Sequence, residues 1–309
     1  MLLRHLQYLT ALARERHFAR AAASCQVTQP TLSAGIKQLE EQLGLLVVQR
    51  GQRFEGFTAE GERVLAWARR ITADAESLAQ EASWLRHTLQ GRLRLGVVPA
   101  ALPAVPILAL PLSRRHPGVQ LTVLSTTSAD IQAGLDEFRL EAGLTYLDNE
   151  PLSRVRAIPL YREQYLLITP ADGPLAGRPR VSWHDAAALP LCLLTPDMQN
   201  RRILNSHFAE AGASVRPALE TNSVFTLCVL VRAGWSSVLP YGFLPLLDGA
   251  EGIAVLPLDA PDAAYTVGVV LSDRDPLAPT AAALRDVLDG LDWSAVAGGP
   301  PAGGPTAGG

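Results

Sequence analysis

A long proline-free stretch with a heptad repeat is the feature that most limits how this chain can fold. Between Thr58 and Gln90 apolar residues alternate at intervals of four and three. They are Val64, Ala68, Ile71, Ala75, Leu78, Ala82, Leu85 and Leu89. A repeat of this kind, sustained over more than three heptads, predicts one long helix that dimerises as a coiled coil. The alternative is an amphipathic helix that packs on its own domain.

The residues before the repeat have the pattern of three short helices with a tight turn. Leucines recur at helical spacing over residues 3–12, residues 18–24 are rich in alanine, and residues 29–43 resume a helical period. Thr28 is expected to cap the third helix, and Pro30 falls in its first turn, where proline is tolerated. This stretch therefore predicts a small helical domain.

The third helix is expected to turn its apolar residues inward and its polar residues outward. Residues 45–61 follow with the strand and turn character of a hairpin or wing. Residues 1–58 carry seven basic and four acidic side chains, a local charge of +3, whereas the whole chain has a net charge of −3. This asymmetry points to a small anion-binding module on a larger, acidic body.

Beyond Gly91 strand-like runs alternate with helical ones, which predicts an α/β body with a mostly parallel sheet. The predicted strands are 92–98, 119–125, 141–147, 165–169, 191–194, 236–240 and 265–272. The predicted helices are 129–140, 198–211, 224–233 and 279–288. About 200 residues suit two lobes. The apolar run 97–112 is interrupted by four prolines and is too short to span a membrane.

Motifs of the common enzyme classes are missing from the sequence. There is no dinucleotide-binding glycine motif after a strand, no phosphate loop and no nucleophile elbow. The six histidines lack metal-site spacing, and Cys25, Cys192 and Cys228 suggest neither a disulfide framework nor a zinc site. With no signal peptide, the sequence predicts a reduced, cytoplasmic, non-enzymatic protein without metal or cofactor. A site assembled from distant residues is the alternative.

One segment resembles a known family almost position by position. The sequence RAAASCQVTQPTLSAGIKQLE, residues 20–40, resembles the winged helix-turn-helix of LysR-type transcriptional regulators. The resemblance continues through residues 43–50 and 57–61, the heptad helix and the two-lobed body. Cys25 replaces the usual leucine, and Val47-Val48 replaces the usual Leu-Phe. Both changes keep an apolar residue, so DNA binding is not put in doubt.

The resemblance implies a fold that is α in its first part and α/β in its second. An N-terminal winged helix-turn-helix precedes a long linker helix and a two-lobed, periplasmic-binding-protein-like α/β effector domain. The implied boundaries are 1–58 for the DNA-binding domain, 59–90 for the linker dimerisation helix, 91–162 with 266–296 for lobe 1, 163–265 for lobe 2 and 297–309 for a flexible tail.

The residues expected to contact DNA lie at the start of the third helix and in the wing. They are Thr28, Gln29, Pro30, Thr31, Ser33, Lys37, Arg50 and Arg53. Hydroxyls and an amide at a helix start can bond base edges or phosphates in a major groove, and guanidinium groups can reach a neighbouring phosphate. The alternative for the two arginines is pairing within the domain, for Arg50 with Glu40 or Glu41.

The residues expected to bind a small anionic metabolite follow strands or begin helices, where free N–H groups favour anions. They are Ala100, Ala101, Thr126, Thr127, Ser128, Thr195, Met198, Gln199, Asn200 and Ser223. Ser128 and Ser223 fit an ordinary helix-cap role equally well. Residues 194–202 also resemble family members associated with formate and one-carbon or autotrophic metabolism.

The sequence thus predicts a cytoplasmic, homotetrameric regulator that binds promoter DNA and a small anionic metabolite. RNA polymerase is a further candidate partner, and no membrane association is expected. Two alternatives stay open. One is a two-lobed solute-binding or enzymatic protein with an incidental helical head. The other is a regulator whose effector pocket is non-functional.

Overall fold

The structure of the protein is a computed structural model that describes residues 2–50, 54–86, 88–259 and 265–293, apart from the side chain of Arg50. Its contacts divide the chain into two compact units. The first unit comprises residues 1–90 with 136–139, and the second comprises the remainder. Arg53 and the predicted tail 297–309 lie outside the described residues.

The first unit contains the three helices and the wing that the sequence predicts. Its elements are α1 (Leu3–Glu15), α2 (Phe18–Ser24), α3 (Gln29–Leu43), β1 (Val48–Arg50), β2 (Phe54–Phe57) and α4 (Ala59–Trp84). The strands β1 and β2 pair antiparallel and form the wing. Leu9 and Leu12 of α1, Leu32 and Ile36 of α3 and Leu65 of α4 are fully buried in one apolar core. The helix-turn-helix is therefore held by side chains at helical spacing.

The long helix α4 ends earlier than the heptad repeat predicts. Its last residue is Trp84 rather than Gln90. The Ser83 hydroxyl donates to the Thr88 carbonyl at 2.7 Å, and the Arg86 N–H donates to the Ser83 carbonyl at 3.1 Å. These local bonds form a turn in place of another helical turn, and Leu89 lies beyond the helix in a buried position.

The second unit has the two-lobed α/β architecture that the sequence predicts. In chain order its elements are β3 (Gly91–Val97), α5 (Val105–Arg115), β4 (Val119–Ser125), α6 (Ser128–Asp136), β5 (Ala142–Tyr146), β6 (Val155–Glu163), β7 (Tyr165–Pro170), α7 (Trp183–Ala187), β8 (Cys192–Leu194), α8 (Gln199–Glu210), β9 (Leu219–Thr221), α9 (Val224–Arg232), β10 (Ser237–Pro240), β11 (Ile253–Pro257), β12 (Tyr265–Ser272) and α10 (Pro279–Leu288). Two 3₁₀ segments, Pro99–Ala104 and Tyr241–Leu246, complete the set.

The sheets of this unit are mixed, so the prediction of a mostly parallel sheet is wrong. Lobe 1 contains a five-stranded sheet in the order β4-β3-β5-β12-β6, in which β12 runs antiparallel to both neighbours. Lobe 2 contains the sheet β10-β7-β11, antiparallel throughout, and the parallel pair β8-β9. The sequence prediction missed β6, β9, β11, α5 and α7. Antiparallel partners such as β12 and β6 are over 100 residues apart in sequence, which strand periodicity alone cannot reveal.

The chain passes from lobe 1 to lobe 2 at a single residue. Glu163 ends β6 in the lobe 1 sheet, Gln164 follows, and Tyr165 begins β7 in the lobe 2 sheet. On the return path Tyr265 begins β12 and pairs in register with Glu163. Glu163 thus lies at the junction of the two lobes. Among the described residues, no helix is long and apolar enough to cross a membrane.

Candidate functional site

The start of α3 has the geometry expected of a capped helix that faces outward. Thr28 has extended backbone angles (φ −77°, ψ 153°), and its hydroxyl accepts a hydrogen bond from the Thr31 N–H at 3.3 Å. The hydroxyls of Thr28 and Thr31 lie 2.8 Å apart. Gly44 ends the helix in the left-handed region at φ 66°. The sequence therefore placed both ends of this helix correctly, because each end is set by local chemistry.

The residues of α3 that are predicted to contact DNA lie on a different face of the helix from its buried apolar residues. Thr28, Gln29, Pro30, Thr31 and Lys37 are exposed, and Ser33 is half-buried. Leu32, Ile36 and Leu39 are fully buried. The Lys37 ammonium lies 3.7 Å from the Glu41 carboxylate, and both side chains are more than 60% exposed. An exposed pair of this kind is weak, so Lys37 remains available to a phosphate.

The wing is fastened to α3 by a buried carboxylate. Glu40 is only 5% exposed, and its Oε1 accepts hydrogen bonds from the backbone N–H groups of Val47 at 2.9 Å and Val48 at 3.0 Å. Glu41, the other carboxylate suggested as a partner of Arg50, lies near the Lys37 ammonium. The side chain of Arg50 and all of Arg53 lie outside the described residues, so their DNA-contacting roles stay predictions.

In lobe 1 the predicted effector residues are already engaged by neighbouring groups. Ala100 and Ala101 are buried after β3, and the Ala101 N–H donates to the Val98 carbonyl at 2.9 Å. The hydroxyls of Thr126 and Thr127 donate to the Asp130 carboxylate at 3.0 and 2.8 Å. A carboxylate at this position repels an anion, so these hydroxyls are poor anion ligands.

Helix capping accounts for Ser223, but the cap of α6 is Thr127 rather than Ser128. The Thr127 hydroxyl accepts from the Asp130 N–H at 3.0 Å and so caps α6, where Ser128 is a buried first residue. The Ser223 hydroxyl caps α9 by accepting from the Thr226 N–H at 3.3 Å. Both helices thus use a hydroxyl to satisfy a free N–H group of their first turn.

The first turn of α8 and the residues just before it contain four of the predicted lobe 2 residues, and this turn faces β5 of lobe 1. They are Thr195, Met198, Gln199 and Asn200. Gln199 is 1% exposed, and its amide oxygen accepts from the Thr145 hydroxyl at 3.4 Å. Its amide nitrogen donates to the Asp148 carbonyl at 3.5 Å. Thr195, just before the helix, has a buried hydroxyl with no hydrogen-bond partner among the described residues. These long or missing bonds leave polar atoms that a small ligand can satisfy.

The two arginines of α8 are held by carboxylates. Arg201 is 5% exposed, and its guanidinium donates to the Leu194 carbonyl at 2.7 Å and to Glu220 at 2.6 Å. Arg202 donates to Glu150 at 2.6 Å, and this contact lowers the pKa of the Glu150 carboxyl. Both guanidinium groups are thereby neutralised. An anion at the first turn of α8 would therefore meet amide, hydroxyl and backbone donors rather than an unpaired positive charge.

Sequence reasoning missed a buried polar cluster at the junction of the lobes, named here the hinge cluster: Tyr146, Glu163, Tyr165 and Asn200. The Tyr146 hydroxyl donates to the Glu163 carboxylate and lies 3.2 Å from the Tyr165 hydroxyl. The Asn200 amide donates to the Tyr146 hydroxyl at 3.1 Å and to the Tyr165 hydroxyl at 3.4 Å. Only Asn200 was among the predicted residues. The available signal was a glutamate with a tyrosine two residues away on either side, Tyr161 and Tyr165.

The three cysteines do not form a reactive pair. Cys192 of β8 and Cys228 of α9 lie buried in the apolar core of lobe 2, and Cys25 is half-buried at the end of α2. Burial raises the pKa of the Cys192 thiol, and it raises the pKa of Cys228 to about 11. The thiolate is the form that reacts with oxidants. Both lobe 2 thiols stay protonated near neutral pH and therefore react slowly.

Comparison with protein families identifies both units. The model described as "Bacterial regulatory helix-turn-helix protein, lysR family" matches residues 3–62, and the model "LysR substrate binding domain" matches residues 86–291. The chain is 32% identical to the DNA-binding transcriptional dual regulator OxyR of Escherichia coli strain K12 over 296 residues. That match covers 94% of this chain and 97% of the relative.

Solved structures agree with the fold. A full-length cysteine-to-aspartate variant of OxyR from Pseudomonas aeruginosa has a TM-score of 0.75 at 28% identity, with 94% of this chain and 99% of that one covered. Full-length CbnR in complex with its target DNA has a TM-score of 0.66 at 20% identity, with 93% and 99% covered. The second likeness is one of fold alone. Together the matches extend over both units of the chain.

Proposed function

This chain belongs to the LysR family of bacterial transcriptional regulators, and we propose that it binds promoter DNA as a homo-oligomer under the control of a small anionic metabolite. The observation that carries the proposal is the first turn of α3, where capped, exposed hydroxyls and an amide point away from a closed apolar core. In this proposal the protein acts in the cytoplasm with RNA polymerase as a partner, and it catalyses no reaction.

The DNA interface is tested by fluorescence anisotropy of the full-length protein on its own upstream DNA and on scrambled DNA, over a salt series. Lys37→Gln should reduce affinity for both DNAs and lower the salt slope by about 1, because one phosphate contact is lost. Glu41→Gln is the matched control: it removes the carboxylate 3.7 Å from Lys37 and should not weaken binding. Equal losses in both variants would contradict a phosphate contact by Lys37.

Self-association is proposed to use the second half of the heptad seam, which comprises the end of α4 and Leu85 directly after it. Ala68 is fully buried, and Val64 and Ile71 pack against the helix-turn-helix core, so the first half of the seam serves its own domain. Leu78 and Leu85, in contrast, are 72% and 75% exposed. Exposed leucines at heptad spacing favour a second copy of the helix as their partner.

Light scattering of the double variant Leu78→Glu/Leu85→Glu tests this interface. Charges in the seam should halve the molar mass of the oligomer. Trp67→Glu is the control, because Trp67 is 63% exposed but lies off the seam, with Arg70 over its ring. An unchanged mass in the double variant would rule out the seam.

A tetramer needs a second apolar contact, and the effector domain offers one. Val123 and Leu124 lie on the edge strand β4, and Phe225 and Val229 lie on α9, with Phe225 72% exposed. We assign these surfaces to contacts between copies. Phe225→Glu should reduce a tetramer to a dimer in the same light-scattering experiment, whereas Glu251→Gln on an exposed turn should leave the mass unchanged.

The effector is proposed to bind against the first turn of α8. Its free N–H groups, the Gln199 amide, and the hydroxyls of Thr145 and Thr195 supply donors without an unpaired cation. This donor set suits a small carboxylate, and formate is the smallest member of that class. An uncharged amide of the same size should bind worse, because it lacks the negative charge that the helix N-terminus favours.

Thermal shift with formate, acetate and acetamide tests the site. A carboxylate ligand should raise Tm by an amount that increases with its concentration relative to its Kd, whereas acetamide should leave Tm unchanged. Gln199→Ala should abolish the shift, and Ser223→Ala, which removes only the cap of α9, should retain it. Retention in Gln199→Ala would place the ligand elsewhere, and no shift with any carboxylate would refute this ligand class.

A second candidate input is hydrogen peroxide, because relatives bear the name "Hydrogen peroxide-inducible genes activator". Peroxide sensing by thiols needs an accessible thiolate, and burial suppresses that form at Cys192 and Cys228. We therefore favour a non-covalent effector in the second unit, which contains both of these cysteines, whereas Cys25 lies in the first unit. Peroxide that changes DNA affinity of the wild type, but not of a variant with all three cysteines replaced by serine, would reverse this choice.

A further inference from the structure

The hinge cluster joins four elements where the chain crosses between the lobes. Tyr146 ends β5 and Glu163 ends β6, both in lobe 1, whereas Tyr165 begins β7 in lobe 2 and Asn200 lies in the first turn of α8. Glu163 is 2% exposed, and the Tyr146 and Tyr165 side chains are also buried. Any movement of one lobe against the other about this crossover must stretch or break bonds within the cluster.

The Glu163 carboxyl is buried, and none of the groups that shift its pKa is a cation. Its partners are the two tyrosine hydroxyls, which cannot neutralise a full charge. Desolvation raises the pKa of Glu163 to about 7, although the tyrosine hydrogen bonds oppose that shift. The closed cluster therefore holds a proton more tightly than a carboxyl in water does.

We propose that the hinge cluster is a proton-controlled latch: protonated Glu163 keeps the junction of the lobes closed, and its ionisation opens the junction to water. The direction follows from linkage. A carboxyl that water reaches has its ordinary acidity, so the open state binds the proton less tightly. Loss of the proton must then shift the equilibrium from closed towards open.

The other titratable groups around Glu163 cannot produce an opening that increases with pH. Burial raises the pKa of Tyr146 and Tyr165, of Tyr161 on the same strand and of Tyr265 on β12, so all four stay neutral. His207 of α8 contacts Tyr165 and Tyr265 with ring centroids 6.0 and 5.5 Å apart. Burial lowers the pKa of His207, so its protonation opens the cluster at low pH, which is the opposite sense.

The latch also reaches the proposed effector surface. Asn200 of the cluster adjoins Gln199, whose side chain contacts Thr145 and Asp148 of lobe 1. Opening the cluster frees the first turn of α8 from β5. The opening is a property of the protein alone and requires neither DNA nor effector.

Hydrogen–deuterium exchange of the full-length protein, without DNA or effector, tests the latch. Labelling times are scaled at each pH from 5 to 8.5 to cancel the intrinsic exchange rate. In the wild type the opening constant of a peptide covering the first turn of α8 should rise by up to about tenfold per pH unit below pH 7. Above about pH 7 the closed state has also lost the proton, so the opening constant should level off.

Three variants decide the interpretation. Glu163→Gln, which keeps the shape but cannot ionise, should remove the rise, and the control Glu251→Gln should retain it. His207→Gln should retain or steepen it, since the histidine opposes the rise. A rise that persists in Glu163→Gln, or a wild type with no rise, would overturn the proposal.

If Glu163→Gln fails to fold, Tyr146→Phe provides the second test. Loss of the hydroxyl that donates to the carboxylate removes a contact that favours ionisation. The pH at which the rise levels off should therefore move higher. An unchanged levelling point, or one moved to lower pH, would show that Glu163 is not the titrating group.

Discussion

The Glu40 carboxylate of α3 accepts a hydrogen bond from the backbone N–H of Val47 at 2.9 Å. The same oxygen accepts from the next N–H, so one side chain satisfies two buried donors at the start of the wing. Glu40→Ala should cost about 1–3 kcal/mol of stability, because both donors lose their acceptor. Glu40→Ala should also weaken DNA binding, because the wing is then no longer held against α3 by these two hydrogen bonds.

Calorimetry of the full-length protein measures this effect. Glu41→Ala is the control, since Glu41 is 63% exposed and its contact with Lys37 is long. It should change stability by less than about 0.5 kcal/mol. Equal melting profiles for Glu40→Ala and the wild type would contradict the fastening role of Glu40.

The contact between α4 and the wing leaves no room for a side chain at Gly61. A Cβ there would lie 2.0 Å from the Val47 carbonyl oxygen, which is backbone and cannot turn aside. At Gly35 the nearest atom would be a Tyr8 ring carbon at 2.7 Å, and a side chain can adjust. Gly61→Ala should therefore lower stability by more than about 2 kcal/mol and Gly35→Ala by about 1 kcal/mol. A reversed order in thermal melts would contradict this packing.

Local sequence signals predicted the DNA-binding unit well because its boundaries depend on local chemistry. The Thr28 cap, the Pro30 position and the end of α3 at residue 43 all appear where the sequence predicts them. The end of α4 was wrong because the heptad repeat continues past Trp84, while the bonds of Ser83 form a turn instead. Apolar spacing alone does not show where a helix stops.

The effector domain was less predictable because its site is assembled by long-range pairing. Strand-like runs located most strands, but only the structure shows that Tyr146 and Glu163 converge with Asn200, 54 residues beyond Tyr146. The hydroxyls of Thr126 and Thr127, which looked available in the sequence, are taken by Asp130 one turn later. Such local competition for a hydroxyl is decided by side-chain geometry.

Thiol accessibility gives a prediction that is independent of DNA. Iodoacetamide at pH 8 should modify half-buried Cys25 first, whereas Cys192 and Cys228 should react ~10-fold more slowly or not at all, because burial raises their pKa values and blocks access. Peptide mass spectrometry measures each site, and the urea-unfolded protein, in which all three should react, is the control. Rapid native labelling of Cys228 would show that lobe 2 opens readily.

The buried Glu163 also makes stability depend on pH with a definite sign. Its pKa is raised in the folded protein from the usual 4.5 to about 7, so between these values the folded state holds a proton that the unfolded state has lost. Its contribution to stability is therefore full below pH 4.5 and falls by ~3 kcal/mol as the pH rises to about 7. His207 acts in the opposite sense, because its lowered pKa makes stability rise with pH up to about 6.5.

Comparing the wild type with Glu163→Gln isolates the contribution of Glu163, because His207 and the other titratable groups are present in both proteins. The stability difference, wild type minus variant, measured by thermal melts at pH 5, 6, 7 and 8, should fall up to pH 7 and then level. A constant difference would mean that Glu163 does not titrate in this range, whereas the same comparison for Glu251→Gln should be flat throughout.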